Sequence, residues 1–269
     1  MESGRDMTKE LYLKGDIAQP GRVSVPDGMT LREIIDTLGG GMLGGRKCKA
    51  VQIGGPSGGL LSADELDLVL DFNKLKPYGV RRGDSVITVL DETRCMVDVC
   101  ARFMQHTQAE FCGKCVPCRE GNKRMSELLG ELKNFALDRA GMHLLTDLGE
   151  MITVTSYCAL GKGAFSTLNR ALELFPQEFE AHLEGHCALC EAPQGSEIVP
   201  GGIAHDRKRI VIDPNKCKGC SRCARSCHAE AISGVIKSPF VIDESKCVKC
   251  YTCMELCAFG AISEVEIDG

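Results

Sequence analysis

The 269 residues carry no surplus of positive charge: 32 Lys and Arg stand against 37 Asp and Glu, a formal net charge of −5. The overall basic footprint of a nucleic-acid-binding protein is therefore absent. No apolar run approaches the ~18 residues that a membrane-spanning helix needs. The polar start, Met1 to Asp6, has no secretory pattern. The expectation is a soluble, cytoplasmic protein with neither a membrane span nor a nucleic-acid partner. No nucleophile–base pair, paired-carboxylate arrangement or strand-led dinucleotide loop stands out, so no residue is assigned a bond-making, catalytic role. Trp is absent and Tyr numbers only 4, whereas Cys numbers 17. A secreted disulfide scaffold accounts poorly for that count. The chain is long enough to bury a core unaided, the number is odd, and no export signal is seen. In a reducing compartment, clustered cysteines point instead to metal.

The cysteines divide the chain. Residues 1–94 hold only Cys48, while residues 95–190 hold eight and residues 191–269 hold eight more. The front reads as small and mixed, with strands expected at Leu11–Gly15, Arg22–Val25, Ala50–Ile53 and Ser85–Leu90. Thr30 and Glu33 form a capping box. It opens a helix with Leu31, Ile34, Ile35 and Leu38 on one face, ending at Gly39-Gly40. This order is β-grasp-like. Gly39 to Gly44 matches G-x-G-x-x-G in form only, because it follows a helix where the dinucleotide fingerprint needs a strand. Gly54-Gly-Pro-Ser-Gly-Gly59 reads as a glycine-rich turn without a phosphate-binding lysine.

The middle reads as a helical bundle. Periodic apolar faces run over Arg119–Leu132, Ala140–Ile152 and Ser166–Phe175, and Pro176 starts a further short helix. The domains expected are 1–93, a β-grasp module; 94–190, a small helical bundle; 191–209, a linker; and 210–269, a duplicated tail. The fold class is α+β. In the tail, Val211-Ile-Asp, Lys216-Cys and Ala231-Ile-Ser recur as Val241-Ile-Asp, Lys246-Cys and Ala261-Ile-Ser at an offset of 30.

Each half of that repeat carries C-x-x-C-x-x-C-x-x-x-C, the spacing of bacterial two-cluster ferredoxins. Three thiolates spaced with two residues between them wrap one cuboidal cluster, and the fourth ligand comes from the other half. Cys217, Cys220, Cys223 and Cys257 are thus expected to hold one 4Fe–4S cluster. Cys247, Cys250, Cys253 and Cys227 are expected to hold a second. The Pro that usually follows the fourth Cys is replaced by His228 and Ala258. In the middle block, Cys112, Cys115 and Cys118 form a third C-x-x-C-x-x-C run, for which Cys158 is the best candidate fourth ligand.

The stretch from Cys95-Met-Val-Asp through Cys112-Gly-Lys-Cys-Val-Pro-Cys-Arg-Glu-Gly121, Cys158-Ala-Leu-Gly161 and Phe179-Glu-Ala-His182 resembles the flavin- and NADH-binding subunit of respiratory complex I. It resembles more closely the bifurcating-hydrogenase relatives that append a two-cluster ferredoxin. Gly15-Asp-Ile-Ala-Gln-Pro-Gly21 and Thr30-Leu-Arg-Glu-Ile-Ile35 match the family's β-grasp module, called SLBB. The resemblance covers about residues 10–269. It implies that Cys112, Cys115, Cys118 and Cys158 bind a 4Fe–4S cluster next to a flavin, giving three clusters in all. The family's glycine-rich domain for FMN and NADH has no counterpart in these residues, so both are expected on a partner chain. The bifurcating relatives also carry a Cys/His zinc site between bundle and tail. Cys187-Ala-Leu-Cys190 with a nearby His is a common zinc half-site. The set expected here is Cys95, His182, Cys187 and Cys190, with His186 the alternative imidazole and the zinc structural.

The resulting expectation is an electron-transfer subunit of an NADH-linked, anaerobic, electron-bifurcating oxidoreductase or hydrogenase complex. It would wire a partner's flavin to ferredoxin-type clusters, other redox subunits and soluble ferredoxin. The rival is a free-standing ferredoxin-like carrier or docking adaptor without a flavin partner.

Overall fold

A computed structural model describes residues 8–55, 57–80, 85–190, 208–227, 229–247 and 252–266. The expected linker lies almost entirely outside the described residues, as do Cys250 and His228.

The front is built on a five-stranded sheet. Its strands are β1 (Thr8–Gly15), β2 (Gly21–Pro26), β3 (Cys48–Ile53), β4 (Gly59–Ser62) and β5 (Val86–Asp91), in the order β2-β1-β5-β3-β4. The central β1–β5 pair is parallel and the other pairs are antiparallel, as in a β-grasp sheet. The Thr30–Glu33 capping box forms as expected. The helix it opens, α1 (Leu31–Glu33), widens at once into a π turn over Ile34–Leu38. The Gly54–Gly59 turn ends in an unexpected strand, since β4 begins at Gly59 and pairs with Ile53.

Side chains alternate across a strand, and here the alternation serves two cores. Val51, Leu61 and Val89 pack with Leu13 and with Leu31 and Ile34 of the helical turn. Their neighbours Ala50, Leu60 and Leu90 face the opposite way and join the core of the helical block. All six residues of β5 are buried, because both faces of the sheet are covered. The sheet and the bundle therefore share packing rather than merely following each other along the chain.

The helices are α2 (Met96–Glu110), α3 (Val116–Lys133), α4 (Arg139–Thr155), α5 (Ala159–Gly163), α6 (Ser166–Leu174) and α7 (Pro176–Leu183). The last of these starts on its proline, whose missing N–H is harmless in a first turn. Met125, Leu128, Leu129 and Leu132 of α3 pack with Leu145 and Ile152 of α4 and Phe103 of α2. Arg170 of α6 crosses to the sheet, donating to both carboxylate oxygens of Glu65 at 2.9 and 3.2 Å.

One buried ion pair pins the junction. Asp16, just after β1, receives Arg94 Nε at 2.8 Å and Nη2 at 2.6 Å, and both side chains are only 1% exposed. The Asp91 amide also donates to Asp16. Removing one partner of such a pair leaves an uncompensated charge in the interior. Asp16→Ala should therefore lower stability by about 3–5 kcal/mol, measured by urea unfolding of the purified chain. A loss under ~1 kcal/mol, the value of an exposed pair, would show that the pair does not hold the junction.

The tail is a two-fold repeat in space as well as in sequence. Strand β6 (Lys208–Ile212) pairs with β9 (Ile262–Glu266), and β7 (Ile232–Ser233) with β8 (Val241–Ile242). The first strand of each half thus pairs with the last strand of the other. The Asp213 amide donates to the Ala261 carbonyl at 2.8 Å, and the Asp243 amide to the Ala231 carbonyl at 2.7 Å. Short helices α8 (Arg222–Arg225) and α9 (Thr252–Leu256) carry the ends of the cysteine runs.

Candidate metal centres

The middle cysteines gather where α3 begins and α4 ends. Cys112 lies in the loop before α3, Cys115 caps that helix, and Cys118 sits in its first turn. The loop is clamped by Arg119, whose Nη1 donates to the Gly113 carbonyl at 2.9 Å. Gly113 has φ +68°, a left-handed conformation that glycine adopts without strain. The helix N-terminus turns its partial positive charge toward the thiols.

Cys158 arrives from forty residues further on because α3 and α4 pack closely. A Cβ at Gly121 would lie 2.6 Å from Ile152 Cδ1, so a larger residue there would push that α4 side chain aside. The chain then turns at Ser156, and Cys158 caps α5, its Sγ receiving the Gly161 amide at 3.5 Å. Gly161 forms part of the cradle: a Cβ there would lie 2.9 Å from Ser156 Oγ and 3.4 Å from Cys118 Sγ. Cys115, Cys118 and Cys158 are buried and Cys112 half-buried. Burial, followed by the charge of Cys115, pushes the Cys118 thiol up to about 12.

These residues fit a 4Fe–4S cluster. Gly161, whose amide meets Cys158 Sγ, lies against Cys118, amide N–H groups point at two of the sulfurs, and Ser156 Oγ is buried without a hydrogen-bond partner among the described residues. A hydroxyl left unpaired beside sulfur ligands suits a site whose remaining acceptors are cluster sulfides.

In the tail, Cys217, Cys220, Cys223 and Cys257 line one pocket, with Ile212, Phe240 and Ile262 among its apolar walls. The set drawn from both halves of the repeat is thus brought together. Of the other set, Cys227, Cys247 and Cys253 share the same small core, and Cys250 is outside the described residues. The Ala231 amide donates to Cys227 Sγ and the Ala261 amide to Cys257 Sγ, each at 3.3 Å, so the two halves make the same contact at their fourth cysteine.

The third feature is a Cys₃His group. The ligating atoms of Cys95, His182, Cys187 and Cys190 all lie within 4.8 Å of one another. Cys95 Sγ is 3.8 Å from Cys187 Sγ and 3.7 Å from His182 Nε2, and Cys190 Sγ is 3.4 Å from that nitrogen. A tetrahedron with Zn–S bonds near 2.3 Å has S···S edges of about 3.8 Å, so the spacing is that of a closed tetrahedral site. Nδ1 of His182 faces the Glu178 carbonyl at 2.8 Å. A carbonyl only accepts, so Nδ1 carries the proton and Nε2 keeps its lone pair for a metal. Glu178 also accepts from the Met96 amide and pairs with Lys49. That ties α7, the start of α2 and strand β3 around the site. His182 is fully buried and stacked on Phe135 at 5.2 Å, whereas His186 is exposed and stands outside the group. Burial, with Cys187 and Cys95 beside it, raises the Cys190 thiol well above its ordinary value.

Cys48 and Cys100 join none of the groups. Burial pushes the Cys48 thiol up to about 12 and the Cys100 thiol higher still, which keeps both protonated and unreactive. Sequence reasoning missed Asn122, Ser156, Glu178 and Thr252. Of these, only Asn122 had a local signal, one helical turn after a ligand cysteine.

Thr252 joins tail to bundle. Its Oγ1 accepts from the Ala159 amide at 3.1 Å. The residue after Cys158 thereby meets the residue before Cys253.

Three family models match the chain: the SLBB domain over residues 11–61, the NADH-ubiquinone oxidoreductase-F iron-sulfur binding region over 98–182, and a 4Fe-4S binding domain over 209–232 and 239–262. NADP-reducing hydrogenase subunit HndC of Solidesulfovibrio fructosivorans is 38% identical over 232 residues, 86% of this chain and 45% of that protein. An F-type subunit of the NADH-quinone oxidoreductase of Rhizobium meliloti is 37% identical, covering 65% of this chain and 42% of its own length. Among solved structures, an NAD+-reducing NiFe hydrogenase in the H2-reduced state is similar with a TM-score of 0.57 and 28% identity, over 66% of this chain and 30% of that one. The chain spans less than half the length of these relatives. It carries, in this order, an SLBB domain, the iron–sulfur binding region of NADH-ubiquinone oxidoreductase-F and a 4Fe–4S binding domain, and over these residues it is similar to part of these F-type subunits and their hydrogenase counterparts.

Proposed function

We propose that this chain is the iron–sulfur electron-transfer part of an NADH-linked oxidoreductase or hydrogenase complex, of the electron-bifurcating kind. It would receive electrons from FMN, reduced by NADH, on a partner chain and deliver them through the tail to other redox subunits or soluble ferredoxin. When bound, 4Fe–4S clusters take up and release single electrons.

The observation that carries this reading is the Thr252–Ala159 contact. It supports a continuous route, because it ties the segment that follows Cys158 to the segment that holds Cys253. Cys112, Cys115, Cys118 and Cys158 then serve as the entry site. The thiols of Cys247, Cys250, Cys253 and Cys227 follow, and those of Cys217, Cys220, Cys223 and Cys257 hold the last cluster, with Cys220 exposed at the surface. A free-standing carrier would need only the tail. The shared core of sheet and bundle, with the Cys₃His group closing it on one side, supports a larger assembly role. Structural zinc at Cys95, His182, Cys187 and Cys190 is part of the same proposal. Its ligands come from the start of α2, the end of α7 and the segment leading to the tail, so it would hold the exit of the bundle in place.

Anaerobic purification of the native protein from its source tests the reading. The expected result is co-purification with a partner that brings FMN and NADH–dye reductase activity. Iron-loaded chain recovered without flavin or that activity would overturn the wiring role in favour of a free-standing carrier.

A further inference from the structure

The middle cysteine group holds one polar side chain that neither ligation nor packing requires. Asn122, on α3, has no exposed surface. Its Nδ2 donates to the Cys118 carbonyl at 2.6 Å and reaches Cys118 Sγ at 3.4 Å. The carbonyl can only accept, so the nitrogen end of the amide faces the cysteine. The other end is left at a disadvantage: Oδ1 is buried with no hydrogen-bond partner among the described residues. A leucine at the same place would fill similar space with no orphaned acceptor. Asparagine in mid-helix is also a weaker helix former than leucine. The position therefore carries a polar group against both packing and propensity. The tail offers a contrast. There, ligand sulfurs receive backbone amides, Ala231 to Cys227 and Ala261 to Cys257, which almost any side chain at those positions would provide. The donor at Cys118 exists only because residue 122 is asparagine.

We propose that Asn122 is a positioning residue that raises the reduction potential of the 4Fe–4S cluster at Cys112, Cys115, Cys118 and Cys158. The inference rests on the reading of those cysteines as a cluster site. An N–H donated to a ligand sulfur draws negative charge from it. The reduced state carries one more negative charge than the oxidised state, so the donor stabilises the reduced state more. The burial of Asn122 and Cys118 keeps water from substituting for the lost donor. An entry site tuned upward in this way accepts an electron from a flavin more readily, while the tail sites keep potentials set by their backbone amides.

The test is a redox titration of the full-length, anaerobically prepared holoprotein followed by EPR, comparing the wild type with Asn122→Leu. Iron content and the midpoints of the two tail clusters should stay unchanged. At the wild-type midpoint of the middle cluster, its reduced-to-oxidised ratio should fall about tenfold in the variant, a downward shift of ~59 mV for a one-electron couple. A loaded variant with an unmoved midpoint overturns the proposal. Should Asn122→Leu fail to load the middle cluster, Asn122→Ala removes the donor without adding bulk and is read the same way. Loss of that cluster from both variants assigns Asn122 to packing and likewise overturns the tuning role. A wild-type protein with no middle-cluster signal would instead overturn the cluster assignment itself.

Discussion

Replacing Cys158 by Ala should remove one cluster from the chain and leave the other two. The anaerobically prepared wild type should contain about 12 iron atoms per chain, from three 4Fe–4S clusters, and the variant about eight. The reasoning is geometric. Cys158 stands at the start of α5 against Gly161, whose other neighbour is Cys118. Cys48 packs against the core of the sheet and Cys100 is fully buried in the core of the helices. The EPR signals of the paired tail clusters should persist, since their ligands come from a separate core. Iron near eight in the wild type would remove the middle cluster from the account. An unchanged spectrum in the variant would leave the middle site needing another fourth ligand.

His182→Ala should abolish tight binding of one zinc ion per chain and lower the thermal midpoint sharply. A structural zinc site contributes its binding energy to folding. Here the imidazole is the only nitrogen ligand, and it is buried with its tautomer set by the Glu178 carbonyl. Losing it leaves Cys95, Cys187 and Cys190 as a three-thiol group without its fourth member. The fall is expected because a structural metal's binding energy no longer adds to folding. Metal analysis and differential scanning calorimetry measure the two effects. His186→Ala serves as the control and should change neither, because that side chain is exposed and outside the group. Zinc retained at full stoichiometry in His182→Ala would remove the imidazole from the ligand set.

How far the sequence can be read depends on the range of the interactions concerned. The Thr30–Glu33 capping box spans three residues and forms as expected. So do β1, β2, β3 and β5, whose alternation is local. Strand β4 is hidden in the sequence because Gly59 opens it inside a glycine-rich stretch. What makes Gly59–Ser62 a strand is pairing with β3, which no four-residue window displays. The periodicity after Thr30 implies one continuous helix. Its apolar face is correct, yet the backbone widens over Ile34–Leu38. The tail repeat is legible because duplication writes the same spacing twice. The same spacing implies the exchange of a ligand between the halves, and Cys257 does line the cavity of Cys217, Cys220 and Cys223.

By itself the sequence determined the clustered thiols, the C-x-x-C-x-x-C runs and the two-fold tail, since thiols three positions apart are brought together by the backbone of a single loop. Tertiary structure alone decided which distant groups join them. Cys158 comes near Cys118 through Gly161, whose amide meets Cys158 Sγ and where a Cβ would lie 3.4 Å from Cys118 Sγ. His182 rather than His186 enters the Cys₃ group because α7 turns it inward, against Phe135 and the Glu178 carbonyl. Cys95 is held there by the Asp16–Arg94 pair one residue before it. Asn122 acquires its relation to sulfur through one turn of α3, and its significance through burial. Contacts across dozens of residues depend on the shape of a packed interior, and that shape is a property of all the side chains at once.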